Sequence, residues 1–366
     1  MEASAVHRAA PTPARRGGAG PVASEGAPEW ASEGAPERGA EQAADAAQAA
    51  APRPALPPGA CDCHTHVFAD PAVHPFSPQR SYTPGLADAG LLARHLGGLG
   101  LDRVVVVQPS VYGLDNGATL AAIAALGPGA ARGVAAIDAD TASDAQLDAL
   151  AAGGMRGVRL NFETDGMADP AQAERRMRAA AARVGRLGWH VQLHVRLALA
   201  ARLAPAMEGL GVPVVLDHYA GTAARTAPDH PDFVRLLAAL RSGNVYVKLS
   251  AGHLCAIEGD DFSPLEPLAR ALIAARPDRL VWGSDWPHPD PGRVPGRPAQ
   301  DITPLKRVDD AGALAMLARC APDARTLEDI LVANPARLYG FDTPVQLAAP
   351  PSASGRDARI RTQETS

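Results

Sequence analysis

Cys61-Asp62-Cys63-His64-Thr65-His66-Val67-Phe68 is a short strand-like run that carries two histidines one residue apart. Side chains in a strand alternate with period two. Read as a strand, this stretch sends Asp62, His64 and His66 to one face and Cys61, Cys63 and Thr65 to the other. Two imidazoles then converge on one small volume. A pair of polar residues satisfied by backbone carbonyls at a strand end would look the same, so the rest of the chain has to decide.

Downstream, short aliphatic runs alternate with longer stretches of helical period, the pattern of repeated βα units around a parallel sheet. The strand candidates are 60–68, 103–110, 132–138, 157–162, 190–195, 213–218, 245–250 and 280–285. Between them lie helix candidates at 87–99, 117–126, 144–152, 170–187, 196–209, 231–241, 264–275 and 311–320 with 326–333. Gly153-Gly154, Gly188, Gly211, Gly243 and Pro277 punctuate the chain just before strands. Eight strands each followed by a helix are the count that closes a (β/α)₈ TIM barrel. A doubly wound open sheet would normally show a Gly-rich phosphate turn after an early strand, and none is present.

The barrel does not need all 366 residues. Residues 1–57 are Ala, Pro, Gly and Glu with hardly a bulky aliphatic side chain, and Ala23-Ser24-Glu25-Gly26-Ala27-Pro28-Glu29 recurs at 31–37. Such a segment buries too little apolar surface to offset its ordering entropy, so it is expected to be disordered, as is the Ala/Pro/Ser/Arg-rich tail 343–366. The folded unit is then 58–342, a length suited to one barrel.

Composition narrows the partners. Lys plus Arg number 35 against 40 for Asp plus Glu, a formal charge of -5, which argues against a general nucleic-acid or polybasic membrane-surface binder. Aromatic residues make up only 4%, too few for a base-stacking platform. No apolar run spans a bilayer and the N-terminus has no apolar signal core, so the expected location is cytoplasmic and the expected partner a small molecule. Oligomeric state is not legible. Cys61, Cys63, Cys255 and Cys320 form no C-x-x-C pair; Cys61 and Cys63 are expected to face away from the histidines as small buried apolar groups.

In a barrel of this kind, chemistry sits at the C-terminal strand ends. There this chain places His64 and His66, Gln108 and Ser110, Arg159 and Asn161, Gln192 and His194, Asp217 and His218, and Ser284 and Asp285. A purely structural barrel would fill these layers with Val, Ile and Leu, because buried histidines and an aspartate are costly unless paired or liganded. His64, His66, His218 and Asp285 taken together therefore read as a site. His190, at the start of its strand, belongs at the barrel bottom. His95, His230 and His253 read as solvated or capping residues, and His74 as a loop residue. His288 is placed to line the pocket, while Trp189, Trp282 and Trp286 read as packing.

The H-x-H of the first strand, the histidines ending strands five and six, and Gly283-Ser284-Asp285-Trp286-Pro287-His288 together resemble the amidohydrolase superfamily, specifically its amidohydrolase-2 branch. Within that branch the chain is similar to the lactonases related to 2-pyrone-4,6-dicarboxylate hydrolase. The shared stretches are Tyr82-Thr83-Pro84, Val107-Gln108-Pro109-Ser110, Met155 to Phe162, Gly188-Trp189-His190 and Asn334-Pro335-Ala336-Arg337-Leu338-Tyr339. The resemblance implies that Asp285 is the general base for the attacking water and that His64, His66 and His218 polarise the ester carbonyl. It implies substrate contacts from Tyr82, Ser110 and Arg159.

This chain also departs from the pattern. It has Glu163-Thr164-Asp165-Gly166 and Tyr219-Ala220-Gly221 where the dicarboxylate hydrolase has further arginines, so a monocarboxylate or neutral lactone is expected rather than a dicarboxylate. His194 stands where that hydrolase has an aromatic residue. His64, His66, His194 and Asp285 would make a mononuclear site for Zn or Mn; alternatively His194 contacts substrate and catalysis is metal-free, and both readings stand. The expected activity is hydrolysis of a carboxylated lactone or pyrone, set against a metal-dependent decarboxylase of an unsaturated carboxylate and a non-catalytic barrel that binds a small acid.

Overall fold

The protein is described by a computed structural model that covers residues 55–342, apart from 256, 258, 260 and 290–297. The stretches 1–54 and 343–366, on which most of the expected disorder falls, lie outside the described residues. Eight strands run in chain order: β1 Cys61–Thr65, β2 Arg103–Val107, β3 Ala131–Ala135, β4 Met155–Asn161, β5 His190–His194, β6 Val214–Leu216, β7 Val245–Ser250 and β8 Leu280–Gly283. Each pairs in parallel with the next. β1 and β8 meet through a parallel bridge between Thr65 and Trp286, with Asp285 N donating to His64 O (2.8 Å) and His66 N to Trp286 O (2.8 Å). That seam closes the (β/α)₈ barrel.

The outer layer is α1 Ala89–Leu99, α2 Gly117–Leu126, α3 Asp144–Ala152, α4 Pro170–Val184, α5 Leu197–Glu208, α6 Pro231–Ser242, α7 Glu266–Ala275 and α8 Asp310–Cys320. Their starts reflect local chemistry. Asp88 accepts from Leu91 N, Ser143 forms a capping box with Gln146, and Asp169 caps a helix that opens on Pro170. β2 reads Arg-Val-Val-Val-Val, β-branched along its length. Val104 and Val106 pack outward with Leu92, Leu96 and Ile123 of the helices. Val105 and Val107 join Cys61, Cys63, Val134, Val281 and Tyr339 in a second, interior cluster.

Here the strict alternation expected of the first strand fails. Asp62 pairs with Val104 and Thr65 with Val106, three steps on β1 against two on β2. The extra residue is a bulge, and it re-aims the side chains beyond it. Cys61 and Cys63 are buried as expected, in the interior apolar cluster with Val105, Val107, Val134, Val281 and Tyr339. Asp62 leaves the site: its Oδ1 accepts from His64 N and Ser284 N, both at 3.0 Å. Burial pushes the Asp62 carboxyl up to about 7.

The sixth strand is also shorter than expected, and the chain turns left-handed at His218. A parallel pair of two residues each, Thr83–Pro84 with Ile302–Thr303, carries too little pattern to be read from sequence.

Candidate active site

Backbone strain gathers at three neighbouring strand ends. His218, Tyr219, Ala220 and Gly221 take φ of 53°, 52°, 55° and 65° in succession, Ala251 after β7 takes 51°, and Asp285 after β8 takes 73°. For residues with a Cβ each such conformation costs roughly 1–2 kcal/mol, so surrounding structure must hold it. Gly221 shows the constraint plainly. A Cβ there would stand 2.3 Å from Val195 O, so the turn is pressed against the end of β5. Gly283 is similar, since a Cβ would meet His64 N at 2.7 Å, and its bareness lets β8 approach β1.

The seam and the turn converge on one carboxylate. Asp285 Oδ1 lies 3.4 Å from His66 Nε2, 3.5 Å from His64 Nε2 and 3.9 Å from His218 Nε2. Burial opposes charge on Asp285, but the surrounding imidazoles, His218 foremost, hold it well below the usual carboxylate range. Burial also lowers the histidines, His218 to about 4 and His64 and His194 well below their ordinary value. At neutral pH Asp285 is ionised, and His64, His194 and His218 are neutral.

Beneath it lies an ion network that carries no signal in local sequence. Lys248, buried on β7, donates to Cys63 O (2.8 Å), with its Nζ 3.2 Å from His64 Nδ1 and 3.5 Å from Asp217 Oδ1. Arg159 Nε donates to Asp217 Oδ2 (3.0 Å), and Gln192 Nε2 does so at 3.1 Å. Burial works against charge on Asp217, yet His64, Lys248 and Arg159 hold its carboxyl well below the usual range. The hydrophobic run Val-Tyr-Val-Lys-Leu-Ser of β7 gave no warning that its lysine points inward.

The expected substrate contacts divide. Arg159 is on the inner face, with Nε committed to Asp217; among the described residues its two Nη atoms make no hydrogen bond. Tyr82 lies by Ser110 and within electrostatic reach of Asp285 and Arg159, and burial raises its phenol. His194 packs edge-on against His218, ring centroids 5.1 Å apart. Two expectations about outlying histidines are corrected. His253 is not solvated: its Nε2 lies 3.7 Å from Asp285 Oδ2, because the left-handed residue Ala251 swings the loop after β7 over the barrel. His95 stacks on Trp286 at 5.5 Å and faces Asp310, drawn in by the amphipathic face of α1. His288 donates through Nε2 to Asp310 (2.9 Å), His230 caps α6, and His190 meets Tyr339 at the barrel bottom. Trp189 and Trp282 are buried in the core.

His64, His66 and Asp285 offer ligand atoms within 4.8 Å of one another, as do His64, Asp217 and His218. His194 belongs to neither group, so the expected four-residue metal set is met in three members. Two observations fit these three to a cation. His66 Nδ1 lies 2.8 Å from Val107 O, which places the ring proton there and turns the Nε2 lone pair toward a carboxylate. His64 Nε2 is buried and makes no hydrogen bond.

The amidohydrolase profile matches residues 61–341, the whole of this barrel. The chain belongs to the amidohydrolase family. Among curated members it is 34% identical over 293 residues to 2-pyrone-4,6-dicarboxylate hydrolase of Comamonas testosteroni, covering 78% of this chain and 91% of that protein. It is 31% identical over 289 residues to 4-sulfomuconolactone hydrolase of Hydrogenophaga intermedia, covering 78% and 90%. A solved structure of a candidate 2-pyrone-4,6-dicarboxylic acid hydrolase from Pseudomonas putida superposes with a TM-score of 0.65 at 30% identity, covering 78% of this chain and 99% of that one. The likeness thus extends over nearly the full length of these relatives. Among the described residues no helix is long and apolar enough to cross a membrane.

Proposed function

We propose that this amidohydrolase-family hydrolase opens a cyclic ester, a lactone or pyrone carrying a carboxylate, by adding water across the ring carbonyl. The observation that carries the reading is the convergence of three imidazoles on Asp285 Oδ1, within 3.4 to 3.9 Å, at the C-terminal end of β8. The lactone hydrolases to which the chain is similar support the ester class.

Asp285 takes a proton from water as the water oxygen bonds to the carbonyl carbon. The carbonyl oxygen becomes an oxyanion. His218 is suited to meet it. Its backbone N–H donates to Ser250 Oγ (3.3 Å), so the Ser250 hydroxyl turned onto Nδ1 (3.0 Å) leaves the ring proton on Nε2, facing the site. His64 can take either role: a bond accepted from Lys248 at Nδ1 puts its proton on Nε2, whereas a proton given to Asp217 leaves a lone pair there. One donor aimed at developing charge contributes about 3 kcal/mol, and a general base roughly 10²–10⁴-fold. As the intermediate collapses, the carbon–oxygen bond of the ring breaks. Asp285 returns its proton to the leaving oxygen, and the product is an open-chain acid. Arg159, with its Nη atoms uncommitted, and Tyr82 and Ser110 orient the substrate.

His64, His66 and Asp285 fit one divalent ion, Zn or Mn, which when bound would lower the pKa of water or polarise the carbonyl. His194 Nδ1 lies 3.0 Å from Asn161 Oδ1, so its Nε2 also presents a lone pair, here toward the substrate cavity.

Assay of a lactone panel tests the reading, with ring opening and CO₂ release measured together. Ring opening should be lost by roughly 10²–10⁴-fold in Asp285→Asn while ligand binding persists. CO₂ release without ring opening would make the chain a decarboxylase. Indifference of an inert protein to the substitution would make it a binder.

A further inference from the structure

Above His194 and His218 the barrel mouth widens into a cavity of ≈ 460 Å³. Its charged lining is Glu163, Arg196 and Arg225. Glu163 and Arg196 are committed to each other, since Arg196 Nε donates to both Glu163 oxygens at 2.8 and 2.7 Å. Arg225 makes no hydrogen bond or ion pair among the described residues, although its loop is well anchored. Ala224 N donates to Cys255 O (2.7 Å) and Thr226 N to Ala223 O (2.9 Å), holding the backbone on either side. Next to it, Thr222 is 1% exposed and its Oγ1 is buried without a partner, on the wall of the same cavity. A buried hydroxyl left unpaired is costly unless a ligand completes it.

We infer that Thr222 and Arg225 form a subsite for the substrate's anionic group, at the mouth and remote from the ester under attack. The inference rests on the proposed lactone hydrolysis and narrows its substrate class. Because Glu163 and Arg196 neutralise each other, Arg225 is left among the described residues as the one charged side chain of this lining without a counter-ion. The mouth therefore suits a single carboxylate or sulfonate carried on a side arm, not a pair of acids flanking the ring. The guanidinium would engage the anion through its planar fork, and the Thr222 hydroxyl, rotated about χ1 into the cavity, would donate a further hydrogen bond to it.

The test uses a γ-lactone bearing a carboxymethyl arm and its primary amide, which has the same shape without the charge. For the wild type, Arg225→Met, Arg225→Lys and Thr222→Val, the readout is the ratio of kcat/KM for acid over amide. That ratio should fall about 10- to 100-fold in Arg225→Met, chiefly through KM, fall less in Thr222→Val, and recover in part in Arg225→Lys. An unchanged ratio in Arg225→Met overturns the subsite, as does an equal loss on acid and amide. Calorimetric binding of cis,cis-muconate to the same proteins separates this from the function itself. If no lactone is opened yet Arg225→Met weakens muconate binding, the subsite stands and the hydrolase reading falls. If muconate binds wild type and variant alike, the subsite falls.

Discussion

At His66 the ring proton is committed to the Val107 carbonyl, and that commitment sets the role open to the other nitrogen. A lone pair 3.4 Å from Asp285 Oδ1 faces negative charge unless a cation lies between them. His64 differs because Nδ1 lies 3.2 Å from both Lys248 Nζ and Asp217 Oδ1. A proton given to Asp217 frees Nε2 as a ligand, whereas a bond accepted from Lys248 makes Nε2 a donor. Elemental analysis should therefore find about one Zn or Mn per chain, lowered in His66→Ala. A metal-free protein that still opens lactones would instead have His66 and Asp285 sharing a proton. The H-x-H pair and Asp285 were legible because polar residues at inner strand ends stand out against aliphatic runs. His253 was not, because its approach to Asp285 Oδ2 depends on a loop reversal at Ala251.

The elements that matter most are the bulge of β1 and the left-handed turn after β6. Both break a local rule, and both aim imidazoles at Asp285. The turn holds φ between 52° and 65° over four residues and is pressed onto Val195. Gly221→Ala should lower stability by roughly 2–4 kcal/mol, because a Cβ would stand 2.3 Å from a carbonyl oxygen; the shift of the urea midpoint measures it. Turnover per folded molecule should fall as well, since His218 opens the turn. No periodicity announces either feature. Strand existence was readable from β-branched runs, but where alternation slips is set by closing β1 against β8.

For the whole barrel, acid stability depends on the burial of neutral imidazoles. His190, packed on Tyr339 at the bottom, has its pKa lowered by burial from 6.5 to about 3. In this range the unfolded chain binds a proton that the folded chain does not. The stability His190 contributes is present above pH 6.5 and is lost as pH falls toward about 3. Urea midpoints between pH 7 and 4 should drop less steeply in His190→Gln than in wild type, even though the variant is weaker at neutral pH. Equal slopes would show that other groups carry the acid limb.

Sequence alone determined the (β/α)₈ architecture, since eight aliphatic runs each followed by an amphipathic stretch match the count that closes a barrel, and the Gly-rich phosphate turn usual in a doubly wound sheet is missing. It also determined which strand ends bear His64, His66, His194, His218 and Asp285, because order along the chain is order around the barrel. Only the tertiary structure decided what those side chains touch. The Lys248–Asp217–Arg159 network joins β7, β6 and β4, and His253 meets Asp285 from another loop. Such contacts are set by barrel closure and by backbone turns a few degrees of freedom wide. Residues far apart in the chain become neighbours only when the barrel closes.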